Sequence, residues 1–145
     1  MKRKISILIA AAVALPLILN ACSQKPAEIH YGSDECAYCR MMITDSRFAS
    51  QIVTGTGKAI TFDAIECMAD YTEENKSDLE SAKMWVSDFN NPGNWIEVQN
   101  AKIVQSEVVK SPMGESLLAF ENEDEMNEHL SEYPGKPVDW QSIVK

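Results

Sequence analysis

Residues 48–68, FASQIVTGTGKAITFDAIECM, read as a strand, a tight turn, a second strand and the start of a helix. Residues 48–54 alternate in polarity and carry β-branched side chains, the pattern of a strand. Gly55-Thr56-Gly57-Lys58 has the composition of a hairpin turn, and residues 59–62 return as its partner. Asp63, with Glu66 three residues later, has the spacing of a capping box, in which each side chain meets the other residue's backbone N–H. Beyond it Ile65, Met68, Ala69 and Thr72 share one helix face, with Tyr71 at its margin. The pattern fades in Glu73-Glu74-Asn75, and residues 76–83 are a polar connector.

The downstream chain repeats this plan. Residues 83–89 read as a strand ended by Asn90-Asn91-Pro92-Gly93-Asn94, residues 95–98 and 102–107 as two short strands or one strand bulged around Gln99-Asn100, and Ser111-Pro112-Met113-Gly114 as a turn before the strand 117–120. Asn122 and Glu125 then repeat the capping spacing. Met126, His129, Leu130 and Tyr133 line one helix face, with His129 at its boundary, and Pro134-Gly135 stop the helix. Residues 138–144 form a short last element. Met68 follows Phe62 by six residues, and Met126 follows Phe120 by six. The expectation is an α+β fold of two small ββα-like halves, about 30–76 and 83–145, packed as one compact unit.

The N-terminus reads as an export signal. Lys2, Arg3 and Lys4 precede an apolar run over residues 5–19, too short for a comfortable membrane span. Leu19-Asn20-Ala21-Cys22 has the form of a lipobox: cleavage after residue 21 leaves Cys22 as a lipid-bearing N-terminus. Residues 22–29 then form a polar tether with one proline. The expected location is the cell envelope, lipid-anchored and facing the periplasm, and Ser23 after the anchor points to the outer membrane. The net charge of −9 becomes −12 once the three cations of the leader are lost. That excess of negative charge argues against nucleic acid or an anionic lipid surface as a partner. Of four cysteines, Cys22 is taken by lipid, leaving Cys36, Cys39 and Cys67. An odd number of thiols in an oxidising compartment cannot all pair within the chain, so at least one has another use.

Cys36-x-x-Cys39-x-Met41-Met42 is the densest run of soft ligands. Thiolate and thioether sulfur prefer soft cations such as Cu(I), and two cysteines at this spacing can place both sulfurs on one ion. Cys67-Met68 is a second sulfur pair, but helical neighbours point about 100° apart; Met68 shares the apolar face and Cys67 lies on its flank. Met113, between Pro112 and Gly114, has no periodic packing reason for its position. Three readings stay open. Cu(I) could be held by the Cys36 loop and Met113. Zinc could be held by Cys36, Cys39, Cys67 and His30. Cys36 and Cys39 could exchange disulfides. No catalytic triad, phosphate-binding glycine loop or spaced carboxylate pair is present in the sequence, so the chemistry reads as binding rather than catalysis.

The ordered series Cys36-Ala-Tyr-Cys39-Arg-Met41, Asp45, Phe48-Ala-Ser-Gln51, Phe62-Asp-Ala-Ile-Glu-Cys-Met68, Ser111-Pro-Met-Gly114 and Leu118-Ala-Phe120 resembles the NosL family of lipoproteins. The resemblance runs from about residue 30 to the C-terminus. It implies a periplasm-facing Cu(I) chaperone that serves maturation of nitrous oxide reductase in denitrification, docking on a membrane transporter and assembly complex. It implies a fold related to the core of an organomercurial lyase. By position Cys36, Cys39 and Met41 match the family's CxxCxM segment and Met113 its Pro-Met-Gly turn, with Cys67, Met42 and His30 as further candidates. Some members carry Gly where this chain has Arg40.

Overall fold

The computed structural model describes residues 23–144; the expected leader, residues 1–21, and Cys22, the expected lipidation residue, lie outside the described residues. Strands β1 (Ser50–Val53) and β2 (Ala59–Phe62) form the expected antiparallel hairpin, with Ser50 opposite Phe62 and Val53 opposite Ala59. Helix α1 (Ile65–Glu74) follows. Strand β3 (Lys83–Ser87) pairs with the other edge of β1, and β4 (Trp95–Glu97) pairs with β3, giving a sheet of order β2-β1-β3-β4. Strand β5 (Lys102–Ser106) is the centre of a second sheet, between β6 (Leu117–Phe120) and β7 (Gly135–Val138). Helix α2 (Glu123–Glu132) joins β6 to β7, and the short α3 (Trp140–Ile143) ends the described chain.

The fold is α+β, and two hairpin-plus-helix units are present, β1-β2-α1 and β5-β6-α2. The sheets divide the chain differently from the expected halves, because β3 and β4 complete the first sheet. The reason lies in β1, whose four residues are all buried. A buried strand must pair its backbone groups on both edges, and β3 supplies the second edge.

Strand β6 shows how the two units share a core. Its four residues are all buried, and successive side chains point to opposite faces. Leu117 and Ala119 join the larger core with Ile52, Phe62, Ile65 and Met68. Leu118 and Phe120 join the smaller one with Phe48 and Val104, packed by Phe89, Met126 and Leu130 of α2. Phe48, expected inside the first strand, instead reaches the second core ahead of β1. His129, expected at a boundary, is buried there among Phe89, Phe120 and Tyr133.

At the second helix start half of the capping box forms: the Asn122 side chain accepts the Glu125 N–H at 3.0 Å, while the Glu125 carboxylate meets the Asn122 side-chain amide at 2.8 Å in place of the backbone N–H. At α1 neither half forms. Ala64, not Asp63, caps α1, with no side-chain cap bond. Both carboxylates of that supposed box are buried in tertiary contacts, described below. Strand β7 was not expected after Pro134-Gly135. It is an edge strand, where Pro137 costs no ladder bond. A Cβ on Gly135 would lie 2.9 Å from the Gln105 carbonyl, so only glycine allows this approach.

Residues 24–29 do not hang free, as a polar tether would. Gln24 Nε2 donates to the carbonyls of Val53 and Ser81, and the Gln24 carbonyl accepts from Trp85 Nε1 at 3.1 Å. Ala27 exchanges two hydrogen bonds with the Gln51 side chain, and Ile29 is buried.

Candidate metal centre

The residues of the CxxC segment form a tight knuckle. Met42 bridges Glu35, the Cys36 N–H donates to the Met41 carbonyl at 2.7 Å, and the Arg40 N–H to the Cys36 carbonyl at 3.1 Å. The Ala37 N–H donates to the Thr61 carbonyl, fixing the knuckle on β2. Closing the turn puts Arg40 at φ 67°, the left-handed region that favours glycine. Its ion pair with Glu35 is exposed and weak. Arg40→Gly is therefore expected to leave stability unchanged or raise it by up to about 1 kcal/mol; chemical denaturation would check this.

The knuckle meets the start of α1. Cys36, Cys39, Asp63 and Cys67 each offer one ligand atom, and these atoms lie within 4.8 Å of one another. Cys36 and Cys67 are wholly buried, whereas Cys39 is partly exposed. The three thiols are not equivalent. The Cys67 S–H donates to the Cys36 sulfur, and backbone N–H groups of Asp63 and Cys39 also point at it. These donors outweigh burial and the opposing Asp63 carboxylate, and hold the Cys36 thiol low, at about 6. Cys67 is pushed up, because its proton is held against the Cys36 thiolate and its own site is desolvated. Burial also raises Cys39, whose S–H donates to Asp63 Oδ1 at 3.5 Å. Asp63 Oδ2 is buried with no hydrogen-bond partner, an unusual state for a carboxylate oxygen. The donor set thus has one preformed thiolate, two further thiols and a free carboxylate oxygen, which suits a cation. The ultraviolet thiolate absorbance of the reduced protein should rise through a first step near pH 6, well below an ordinary thiol. A first step above pH 8 would contradict the hydrogen-bond arrangement.

Of the residues singled out in the sequence, Cys36, Cys39 and Cys67 come together. Met41, Met42 and Met113 lie at the surface, 45%, 53% and 40% exposed. The loop carrying Met113 is tied to the metal centre through Glu66, the neighbour of Cys67. Ser111 Oγ donates to buried Glu66 Oε1 in a very short contact, and the Leu117 N–H donates to the same oxygen at 3.5 Å. The Ser116 N–H closes the loop onto Ser111 Oγ. His30 is not part of the cluster; it is exposed and paired with Asp34 at 3.3 Å. The fourth candidate donor beside the thiols is therefore Asp63, and His30 lies outside the cluster. The local spacing of Asp63 and Glu66 suggests a helix cap and its partner, but both side chains turn to tertiary partners. The signal present in the sequence was spacing: Asp63 precedes Cys67 by four residues, about one helical turn.

Comparison with known proteins agrees with the motif series. The family model described as NosL matches residues 26–145. Among solved structures the chain is similar to the copper chaperone NosL from Shewanella denitrificans, with a TM-score of 0.70 and 18% identity over 85% of this chain and 98% of that one. At that identity the likeness speaks for the fold. No curated protein matches the sequence.

Proposed function

The chain belongs to the NosL family, and from that membership we propose that it is a copper-binding chaperone with no catalytic role. The observation that carries this reading is the convergence of three thiols and a free carboxylate oxygen where the knuckle meets α1. The solved relative of like fold is described as a copper chaperone. Sulfur donors favour the Cu(I) state. Cys36, Cys39 and Cys67 would hold the ion, and the exposed thioethers of Met41, Met42 and Met113 would serve as donors during arrival and departure. A chaperone must release its cargo, and partly exposed Cys39 is the point at which an incoming ligand could begin replacing the thiols one at a time.

The finer parts of the reading follow from the family resemblance and the leader. The protein is lipid-anchored through Cys22 in the cell envelope, faces the periplasm and passes copper towards nitrous oxide reductase with a membrane transporter complex.

Zinc is the second reading, because three thiolates and a carboxylate also make a tetrahedral donor set. Anaerobic titration of the reduced protein with Cu(I) against a competing chelator, with zinc in parallel, separates them. The expected result is one Cu(I) per chain, held in preference to zinc. Preferential zinc binding, with unfolding on chelation, would overturn the proposal.

A further inference from the structure

We propose that the domain stands on the membrane by the turn end of its first sheet, with the metal centre facing away from the bilayer. This rests on the lipid anchor at Cys22 in the preceding reading.

Gln24 follows the anchor residue by two positions, and two residues span at most about 7 Å. Gln24 is tied to the fold by hydrogen bonds. Its side chain bridges the carbonyls of Val53 and Ser81, and its carbonyl accepts from the Trp85 indole. From there the chain runs along the sheet, past Gln51 at Ala27. A lipid on Cys22 is thus tied to one end of the sheet by a leash too short to let the domain tumble.

The register says which end. Val53, Ala59 and Lys83 stand opposite one another at the Gln24 end, and Ser50, Phe62 and Val86 at the other. Three residue steps separate these ends, about 10 Å. Asp63 follows Phe62 directly, so the thiol cluster lies at the far end. The second sheet lies beyond it, where the Phe89 N–H after β3 donates to the Ala119 carbonyl.

The near end suits a headgroup layer. Around Gln24 lies an open depression lined by Thr54, Gly55, Thr56, Lys58, Asp78 and Ser81. The exposed turn residues Thr56, Gly57 and Lys58 carry no large apolar side chain that would enter the acyl region. The occupant is the phospholipid surface, because a lipid on Cys22 is separated from Gln24 by two residue steps, at most about 7 Å. The orientation leaves the thiol cluster clear for a partner approaching from the periplasmic side.

The test uses the full chain, matured in a bacterial envelope and reconstituted in phosphatidylethanolamine and phosphatidylglycerol vesicles. A small fluorophore is carried on a noncanonical amino acid at Thr56 or Asn91, both exposed and at opposite ends. Mass spectrometry first establishes the lipid on Cys22. Quenching by headgroup-attached quencher lipids should then be several-fold stronger at Thr56 than at Asn91. A long Gly/Ser insertion between Ser23 and Gln24 should abolish the difference. Equal quenching in the uninserted chain, or stronger quenching at Asn91, overturns the orientation. So does a difference that survives the insertion, since the short leash would then not be its cause. A chain without lipid on Cys22 refutes the anchor itself, an outcome read separately by mass.

Discussion

Replacing Cys36 with serine is expected to lower Cu(I) affinity at least about 100-fold, the largest loss of any single substitution in the site. Replacing groups that merely orient a ligand costs roughly 10–100-fold, and Cys36 is the centre of the donor set. Its sulfur receives the Cys67 S–H and the backbone N–H groups of Asp63 and Cys39, so it is already charged near neutral pH. A serine hydroxyl in that place offers a hard, protonated oxygen to a soft ion. The affinity should also fall as pH drops below 6, because protons then compete for this thiolate. Chelator competition at several pH values measures both effects. The variant should keep its circular dichroism spectrum, because the change in volume is small.

Glu66→Ala is expected to be the most destabilising change near the site, by about 2–4 kcal/mol. Glu66 is buried and accepts from Ser111 Oγ and the Leu117 N–H. Alanine leaves both donors unsatisfied and opens a cavity between α1 and β6. It also frees the loop bearing Met113. If Met113 helps to bind copper, Glu66→Ala and Met113→Leu should each weaken binding, and the double variant should weaken it by less than the product. Burial raises the Glu66 carboxyl. A group raised in the folded state contributes most below its unfolded value, and that contribution is lost as pH rises through the folded value. Glu66→Gln should therefore flatten the loss of stability on going from acid towards neutral pH. Urea unfolding at pH 4 and pH 7 checks the sign.

The contrast between the two helix starts explains what could be read in advance. Asn122 and Glu125 are exposed or half-buried and satisfy one another, so local spacing was sufficient. Asp63 and Glu66 have the same spacing, but their partners lie far away in sequence. Asp63 meets Cys39, 24 residues before it, and Glu66 meets Ser111, 45 residues after it. Nothing local distinguishes a carboxylate that caps its helix from one buried against another segment. The hairpin of β1 and β2 was legible because alternation and turn chemistry are local. The pairing of β1 with β3 was not, since it depends on which edge of a buried strand remains open. The thiols were recognisable as candidate ligands by chemistry, whereas their convergence with Asp63 required the fold. The segment around Gln24 illustrates the reverse error. Its polar composition is that of a linker, yet carbonyls of Val53 and Ser81 supply acceptors that hold it.

X-ray absorption at the copper edge of the Cu(I)-loaded protein reads the ligands themselves. A sulfur-dominated shell of low coordination number is expected, one that loses sulfur in the Cys36→Ser variant. A shell of nitrogen and oxygen ligands, or one that Cys36→Ser leaves unchanged, would rule out the thiols as the copper site.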